Sequence, residues 1–297
     1  MTPISIVIIT LNEAERIGNI LRDLAQQSYQ NFEVIVVDSN SEDDTCQIAA
    51  SFRHQLPAIS VHKMSKRGVS LGRNTGASLA KNERILFLDA DVRLDADFLQ
   101  QASQLLDKKS LKVAGVYMNA DHLKPWFTVG YLLFNMGIFV SQFLSPTAVG
   151  ACIFSSKSVH EQLGGFDESI TLCEDCDYVN RAKKITRYQM LPLTFRFDPR
   201  RLQQDGYFNT GWKYLHANLY RFFIGEIRDN KIRYQFGHYH TQKNSVGGDA
   251  IFCRVFRSLP YALSSFKLSR TLLHKGGNPF FKVFTGRHLH LVNYFLV

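Results

Sequence analysis

The chain opens on Ile4–Thr10 (ISIVIIT), where β-branched residues follow one another almost without a polar break. Such a run predicts a strand buried on both faces. Ile17, Ile20, Leu21 and Leu24 then recur three and four apart, which predicts a helix with Asn12 as its N-cap. Phe32–Asp38 (FEVIVVD) predicts a second buried strand, and SEDDTCQIAASF a helix opening on Ser and acids. GVSLGRNTGASLAKN predicts a third helix, and Arg84–Asp91 (RILFLDAD) a further strand. Alternation of this kind implies an α/β fold with a mainly parallel sheet and right-handed crossovers. Ligands of such sheets bind at the carboxyl ends of the strands, where Thr10, Asp38 and Asp89 fall.

The pattern changes after residue 120. No charged residue occurs from Pro125 to Ser156, and Val129, Leu132, Leu133, Met136, Val140 and Phe143 keep helical spacing. The stretch is borderline for a membrane span, which takes about 20 apolar residues. A single span would place the carboxylates at 89–91 and at 174–177 on opposite sides of the bilayer. If both serve one site, the segment is interfacial, re-entrant or buried. After Asp249 there is no acid, while seven Lys and Arg residues lie among Phe, Leu and Tyr, as in amphipathic helices.

Charge and cysteines narrow the partners. The formal net charge of +9 suggests an anionic one: nucleic acid, a membrane surface or a phosphorylated substrate. The five cysteines have no framework spacing and no leader precedes the first strand, so a reducing compartment is expected. No G-x-G-x-x-G follows the first strand and no G-x-x-x-x-G-K-[ST] is present, which disfavours dinucleotide dehydrogenases and P-loop ATPases. Zinc lacks an H-E-x-x-H or a second Cys-x-x-Cys.

The sharpest candidate chemistry is FLDADV. A strand delivers Asp89 and Asp91 to its carboxyl end with the small Ala90 between them. Two carboxylates so placed suit Mg²⁺ or Mn²⁺ shared with substrate phosphates, although a solvated turn has the same composition. Asp38 can accept from a ribose hydroxyl or a base N–H, and Ser41 and Asp43 read equally as helix caps. Arg73, between glycines, is placed for a phosphate or is an ordinary surface arginine. In TLCEDCDYVNRAKK, Cys173 and Cys176 bracket Glu174 and Asp175 at a helix start, so both a thiol and a carboxylate reading arise. His238, His240, Trp126 and Trp212 are weaker candidates beside ordinary packing roles.

Taken together, SIVIITLNEAERIGNIL, FEVIVVDSNSEDDT, GRNTGASLA, ILFLDADV and LGGFDESITLCEDCDYVNRAKK resemble a family 2 glycosyltransferase of the GT-A fold. The resemblance covers roughly residues 3–190 and keeps the family's motif order. It implies a metal-dependent, inverting enzyme with a nucleotide-diphosphate sugar donor, UDP-linked by preference. It places Thr10, Asn12, Glu13, Asp38, Arg73 and Asp89 at the donor, the metal at Asp91 and Asp89, and the catalytic base at Asp175 or Glu174. Asn40 stands where the family usually has glycine, so a different loop is expected there. An inverting transfer needs a base and a site for the diphosphate but no thiol. Cys173 and Cys176 are then packing residues, the glycines of GGFDE make a tight turn anchored by Phe166, and Arg181 pairs with Asp177 one turn away.

The expected layout is a catalytic domain over 1–205, with a donor half (1–120) and an acceptor half (121–205). A basic, aromatic, mostly helical extension follows over 206–297. The expected partners are a nucleotide sugar, a glycan or lipid-linked acceptor and an anionic membrane surface, with a homodimer interface as the other use of the apolar segments. The expected location is the cytoplasmic face of the cell membrane. A sugar nucleotidyltransferase and a basic nucleic-acid-binding protein are the competing readings. The first would show a glycine-rich phosphate loop, and the second a nucleic-acid module signature; neither pattern occurs.

Overall fold

The structure, a computed structural model, describes residues 2–119, 125–198, 217, 220–221 and 225–228. The Trp126 side chain, Trp212, His238, His240 and the expected helices of the extension lie outside the described residues.

Eight strands form one sheet: β1 (Ile4–Thr10), β2 (Phe32–Asp38), β3 (Ile59–Lys63), β4 (Arg84–Asp89), β5 (Val92–Arg93), β6 (Val113–Asn119), β7 (Cys152–Ser156) and β8 (Tyr188–Phe197). Their order is β3-β2-β1-β4-β7-β6-β8-β5. The first four are parallel, with Thr10 beside Asp38 and Ile9 beside Asp89. The expectation of a mainly parallel sheet holds for that half. Beyond β4 the sheet is mixed, because β7 runs antiparallel to both β4 and β6. The strand read as Arg84–Asp91 ends at Asp89, and Ala90 and Asp91 turn into β5.

Seven helices pack on the described sheet: α1 (Ala14–Ala25), α2 (Thr45–Ser51), α3 (Val69–Leu79), α4 (Phe98–Lys108), α5 (Pro125–Leu144), α6 (Lys157–Leu163) and α7 (Glu174–Lys183). Alternate residues of one strand point to opposite faces. Ile4, Ile6 and Ile8 of β1 therefore meet α1, while Val7 faces the side of α3, α6 and α7. Sharing that face is what lets α3 and α7 meet over the end of β4.

α5 is an inside-out helix. Its buried face carries Asn135, Ile138 and Gln142, and its outer face carries Leu132, Met136, Val140 (53% exposed) and Phe143 (67% exposed). The inward amides bond to strand backbone. Asn135 Nδ2 donates to Met118 O at 2.8 Å, and Gln142 Oε1 accepts from Met190 N at 3.2 Å. β6 and β7, which flank α5 in the chain, pair with each other, so α5 does not separate the two carboxylate groups. No described helix is long and apolar enough to cross a membrane.

Candidate active site

The loops after β1 and β2 are laced together. Thr10 Oγ1 donates to Asp38 Oδ2 at 3.0 Å, and Ser41 N donates to Asp38 Oδ1 at 2.8 Å. The orphan N–H groups at the start of α1 are satisfied from the neighbouring loop: Asn12 N by Ser41 Oγ, Glu13 N by Thr45 Oγ1 and Ala14 N by Asp43 Oδ2. Asn12 is therefore not the N-cap expected of it. Its backbone is left-handed (φ 55°), its Oδ1 accepts from Glu42 N at 2.9 Å, and Glu13 takes the cap position. Asp43 serves both helices, its Oδ2 accepting from Ala14 N of α1 and its Oδ1 from Thr45 N of α2 at 3.1 Å, while Ser41 Oγ accepts from Asn12 N just ahead of α1. Asp38 is fully buried beneath this lacing. Asn40 adopts φ 63°, a left-handed turn that glycine takes freely and asparagine tolerates, so replacing glycine there still permits a left-handed turn.

Arg73 joins the two halves of the sheet. Its side chain is only 2% exposed. It donates from Nη1 to Glu174 Oε1 at 2.7 Å, and from Nη2 to Asp89 Oδ1 at 3.1 Å and Gly150 O at 3.0 Å. Its guanidinium carbon lies 5.3 Å from the centre of the Phe166 ring. Burial works against the charge, but Asp89, Glu174 and Asp175 outweigh it and hold the guanidinium protonated. Nε has no hydrogen-bond partner among the described residues. Arg73 is thus not a surface arginine: Nη2 is taken by Asp89 and Gly150 and one Nη1 N–H by Glu174. It links the end of β4 to the start of α7.

Asp175 sits behind this link and is half-buried. Its Oδ1 accepts from Cys176 N at 2.8 Å. Burial first, then the charge of Glu174, push its carboxyl up to about 6, against the pull of Arg73, the Cys176 N–H and Arg221. Gly150 makes room for the pair: a Cβ there would stand 3.0 Å from both Arg73 Nη2 and Asp175 Oδ2. Neither Gly150 nor Asn74 was singled out from the sequence. Asn74, beside Arg73 in GRNTG, accepts from Phe166 N at 2.8 Å and donates to Phe166 O at 2.9 Å, so α3 also grips the turn that leads to the acids. In that turn Gly164 and Gly165 take φ of 72° and 78°. The tight turn was legible; its left-handed backbone and the partner of Asn74 were not.

Cys173 and Cys176 are buried free thiols, packed with Leu172, Ala217 and Ile227. Arg181 pairs with Asp177 at 2.7 Å, as the i, i+4 spacing predicts. Asp89 keeps a side chain 35% exposed, Asp91 is half-buried, and Ala90 between them turns into the core. Among the described residues no three His, Cys, Asp or Glu side chains gather to hold a metal by themselves. Two partly open carboxylates still fit a hard cation that draws its other oxygens from phosphates and water. A depression of about 310 Å³ flanks Asp91, lined also by Arg16, Arg93, Arg196 and Asp198. It lies beside the Arg73 link and not over it, and each of its arginines is already ion-paired.

The chain is similar to known proteins. A family model described as Glycosyl transferase family 2 matches residues 5–164. The glycosyltransferase GlyG of Streptococcus pneumoniae is 31% identical over 120 residues, which are 40% of each chain. The poly(ribitol-phosphate) beta-N-acetylglucosaminyltransferase TarS of Staphylococcus aureus is 32% identical over 111 residues, 36% of this chain and 19% of that one. The chain thus spans less than half the length of either relative. Two solved structures share the fold. S. aureus TarS in complex with UDP-GlcNAc has a TM-score of 0.53 at 24% identity, over 65% of this chain and 58% of that one. The mannosyltransferase PcManGT from Pyrobaculum calidifontis, in complex with GDP-Man and Mn2+, has a TM-score of 0.60 at 20% identity, over 73% and 61%. With the family model covering more than half of its length, and with a GT-A sheet that brings Asp89, Arg73 and Glu174 together, the chain belongs to glycosyl transferase family 2.

Proposed function

We propose that this glycosyltransferase moves a sugar, with inversion, from a UDP-linked donor to a hydroxyl of a glycan or lipid-linked acceptor. The observation that carries the proposal is the Arg73 link, which sets the Asp-x-Asp end of β4 against the acid pair of α7. An in-line displacement needs these two ends. The acceptor oxygen forms the new bond to the sugar C1 as the bond from C1 to the diphosphate breaks. Asp175, raised toward neutral pH, takes the acceptor's proton. Glu174, tied to Arg73, orients the acid pair. Thr10, Asn12, Glu13 and Asp38 shape the nucleotide end, and Asp91 and Asp89 are the carboxylates for Mg²⁺ or Mn²⁺. That ion, when bound, supplies positive charge for the leaving diphosphate. UDP-GlcNAc bound to TarS and GDP-Man with Mn2+ bound to PcManGT support nucleotide-sugar use.

The direct test is a screen of nucleotide sugars, read as thermal stabilisation with and without Mn²⁺ and as released product. A UDP-sugar should stabilise the protein more with Mn²⁺, transfer should release UDP, and Asp91→Ala should lose the metal-dependent part. Release of pyrophosphate would instead make the protein a nucleotidyltransferase.

The same reading places the enzyme on the cytoplasmic face of a membrane. The outward apolar stripe of α5 supports this, as do Lys184 and the exposed Ile185 just past the end of α7. An interfacial helix buries an apolar face while nearby cations meet anionic headgroups, at about 1 kcal/mol per Lys or Arg. Flotation with vesicles containing phosphatidylserine should carry the protein at low salt and lose it at high salt. A soluble dimer with the α5 face covered would overturn the location and leave the transferase reading standing.

A further inference from the structure

Residues beyond the family match return to the loop that carries the acids. Ile227 O accepts from Thr171 N at 2.9 Å and from Thr171 Oγ1 at 3.2 Å, and Leu172 pairs with Ile227 in an antiparallel bridge. The Ile227 side chain is buried with Ala217 against Leu172, Cys173 and Cys176, and Tyr220 packs on the group. Arg228 Nη1 donates to Asp167 Oδ2 at 2.7 Å and also to Ser169 Oγ. Arg221 forks onto Glu226 at 2.7 and 3.1 Å. Its charge is felt by Cys176, Cys173 and Asp175.

These contacts reach Asp167, Ser169, Thr171 and Leu172 of a loop whose Ile170 and Leu172 are themselves buried. α3 grips only its beginning, through Asn74 on Phe166 and Ser70 Oγ on Asp167 O at 3.2 Å. Its other end, Cys173, has φ 64°, a left-handed backbone that a side chain larger than hydrogen disfavours. Such a conformation persists where the surroundings over-determine it. Glu174, the next residue, is the one Arg73 holds.

We propose that the segment containing Tyr220–Arg221 and 225–228 is a positioning strap for the acid pair. Ile227 and Arg228 fix the loop from Asp167 to Cys173, and the Arg221–Glu226 fork braces the strap itself. The strap rests on the preceding assignment of Asp175 as base. It adds residues that the family match, ending at 164, does not include. The charged and titratable groups facing Asp175 are Glu174 and Cys176 on α7, Arg73 on α3, Tyr188 on β8, and Arg221 on the strap.

Arg228→Ala tests the strap without opening a cavity, since Arg228 is 55% exposed. Arg228→Lys is the conservative companion, and thermal unfolding confirms that both variants fold. Turnover is read as UDP released from UDP-GlcNAc or GDP released from GDP-mannose. The Asp175 carboxyl is read separately by ¹³C titration, assigned by its loss in Asp175→Asn. The expected result for Arg228→Ala is a kcat lower by roughly 10- to 100-fold with donor KM unchanged. Its Asp175 midpoint should fall toward the ordinary carboxylate value as water enters, and Arg228→Lys should recover part of both. An unchanged kcat and midpoint in folded Arg228→Ala would overturn the strap. If the parent protein releases nucleotide from neither donor, the donor assignment fails, and the titration alone decides the strap.

Discussion

The two halves of the sheet hold their functional groups in different ways. On the donor side, Thr10, Asp38 and Asp89 end adjacent parallel strands, and the loops after Thr10 and Asp38 are laced by short polar side chains within residues 10–45, while Asp89 is held by Arg73. On the acid side, Glu174 and Asp175 begin a helix whose supports come from α3, from the turn at Gly150 and from residues 227–228. The donor side is a local construction; the acid side is assembled from distant parts of the chain. A base must be held to a fraction of an ångström against an acceptor, and a loop tied at several remote points is stiffer than one tied to its neighbours.

The largest effect expected from breaking the acid side is chemical. Asp175→Asn keeps the shape and removes the proton acceptor, so turnover should drop by roughly 10²- to 10⁴-fold. Nucleotide affinity by calorimetry should stay near the parent value, because the donor side is untouched. If Glu174→Gln is dead and Asp175→Asn is active, the two roles exchange.

Cutting the link between the halves should appear as stability. Arg73→Met leaves Asp89 and Glu174 without their buried cation, at a cost of about 3–5 kcal/mol in urea unfolding. An unfolding curve like the parent's would mean that the halves do not depend on Arg73. Gly150→Ala is gentler and more local. Its added methyl would press on Arg73 and Asp175 at once, so turnover should fall by roughly 10-fold or more while the fold survives.

The pH profile sharpens the same contrast. A base works deprotonated, so kcat/KM should rise as pH climbs through about 6, the raised value of Asp175, and not near 4 as for an open carboxyl. A limb near 4 would place the base outside this buried pair. The smallest effect belongs to the thiols. Serine at Cys173 and at Cys176 should leave the pH profile and donor KM as they are, measured on the same released nucleotide.

Legibility follows the same division. β1, β2, β4, α1, α2 and α3 were readable because an uninterrupted apolar run or a three-to-four spacing encodes each of them locally. β3 and β5 were not readable, since one is short and half-exposed and the other has two residues. β8 breaks its own apolar run at Pro192. The sequence pointed to Arg73, Asp89 and the acid pair as separate candidates. It held no sign that a buried guanidinium joins them, or that Gly150 clears the space.

By itself, then, the sequence determined the alternation of buried strands and helices, the ends at which carboxylates gather, and the tight turn at Gly164–Gly165. Those follow from side-chain period and backbone sterics, which act over a few residues. Only the tertiary structure decided that α5 turns its amides inward and its apolar stripe outward, that α1 is capped by Ser41, Thr45 and Asp43, and that Ile227 reaches Thr171. Each of these satisfies a buried polar group or closes an apolar gap with a residue from elsewhere in the chain. The need for a partner is written locally, but which residue meets it is fixed only when the sheet brings the two together.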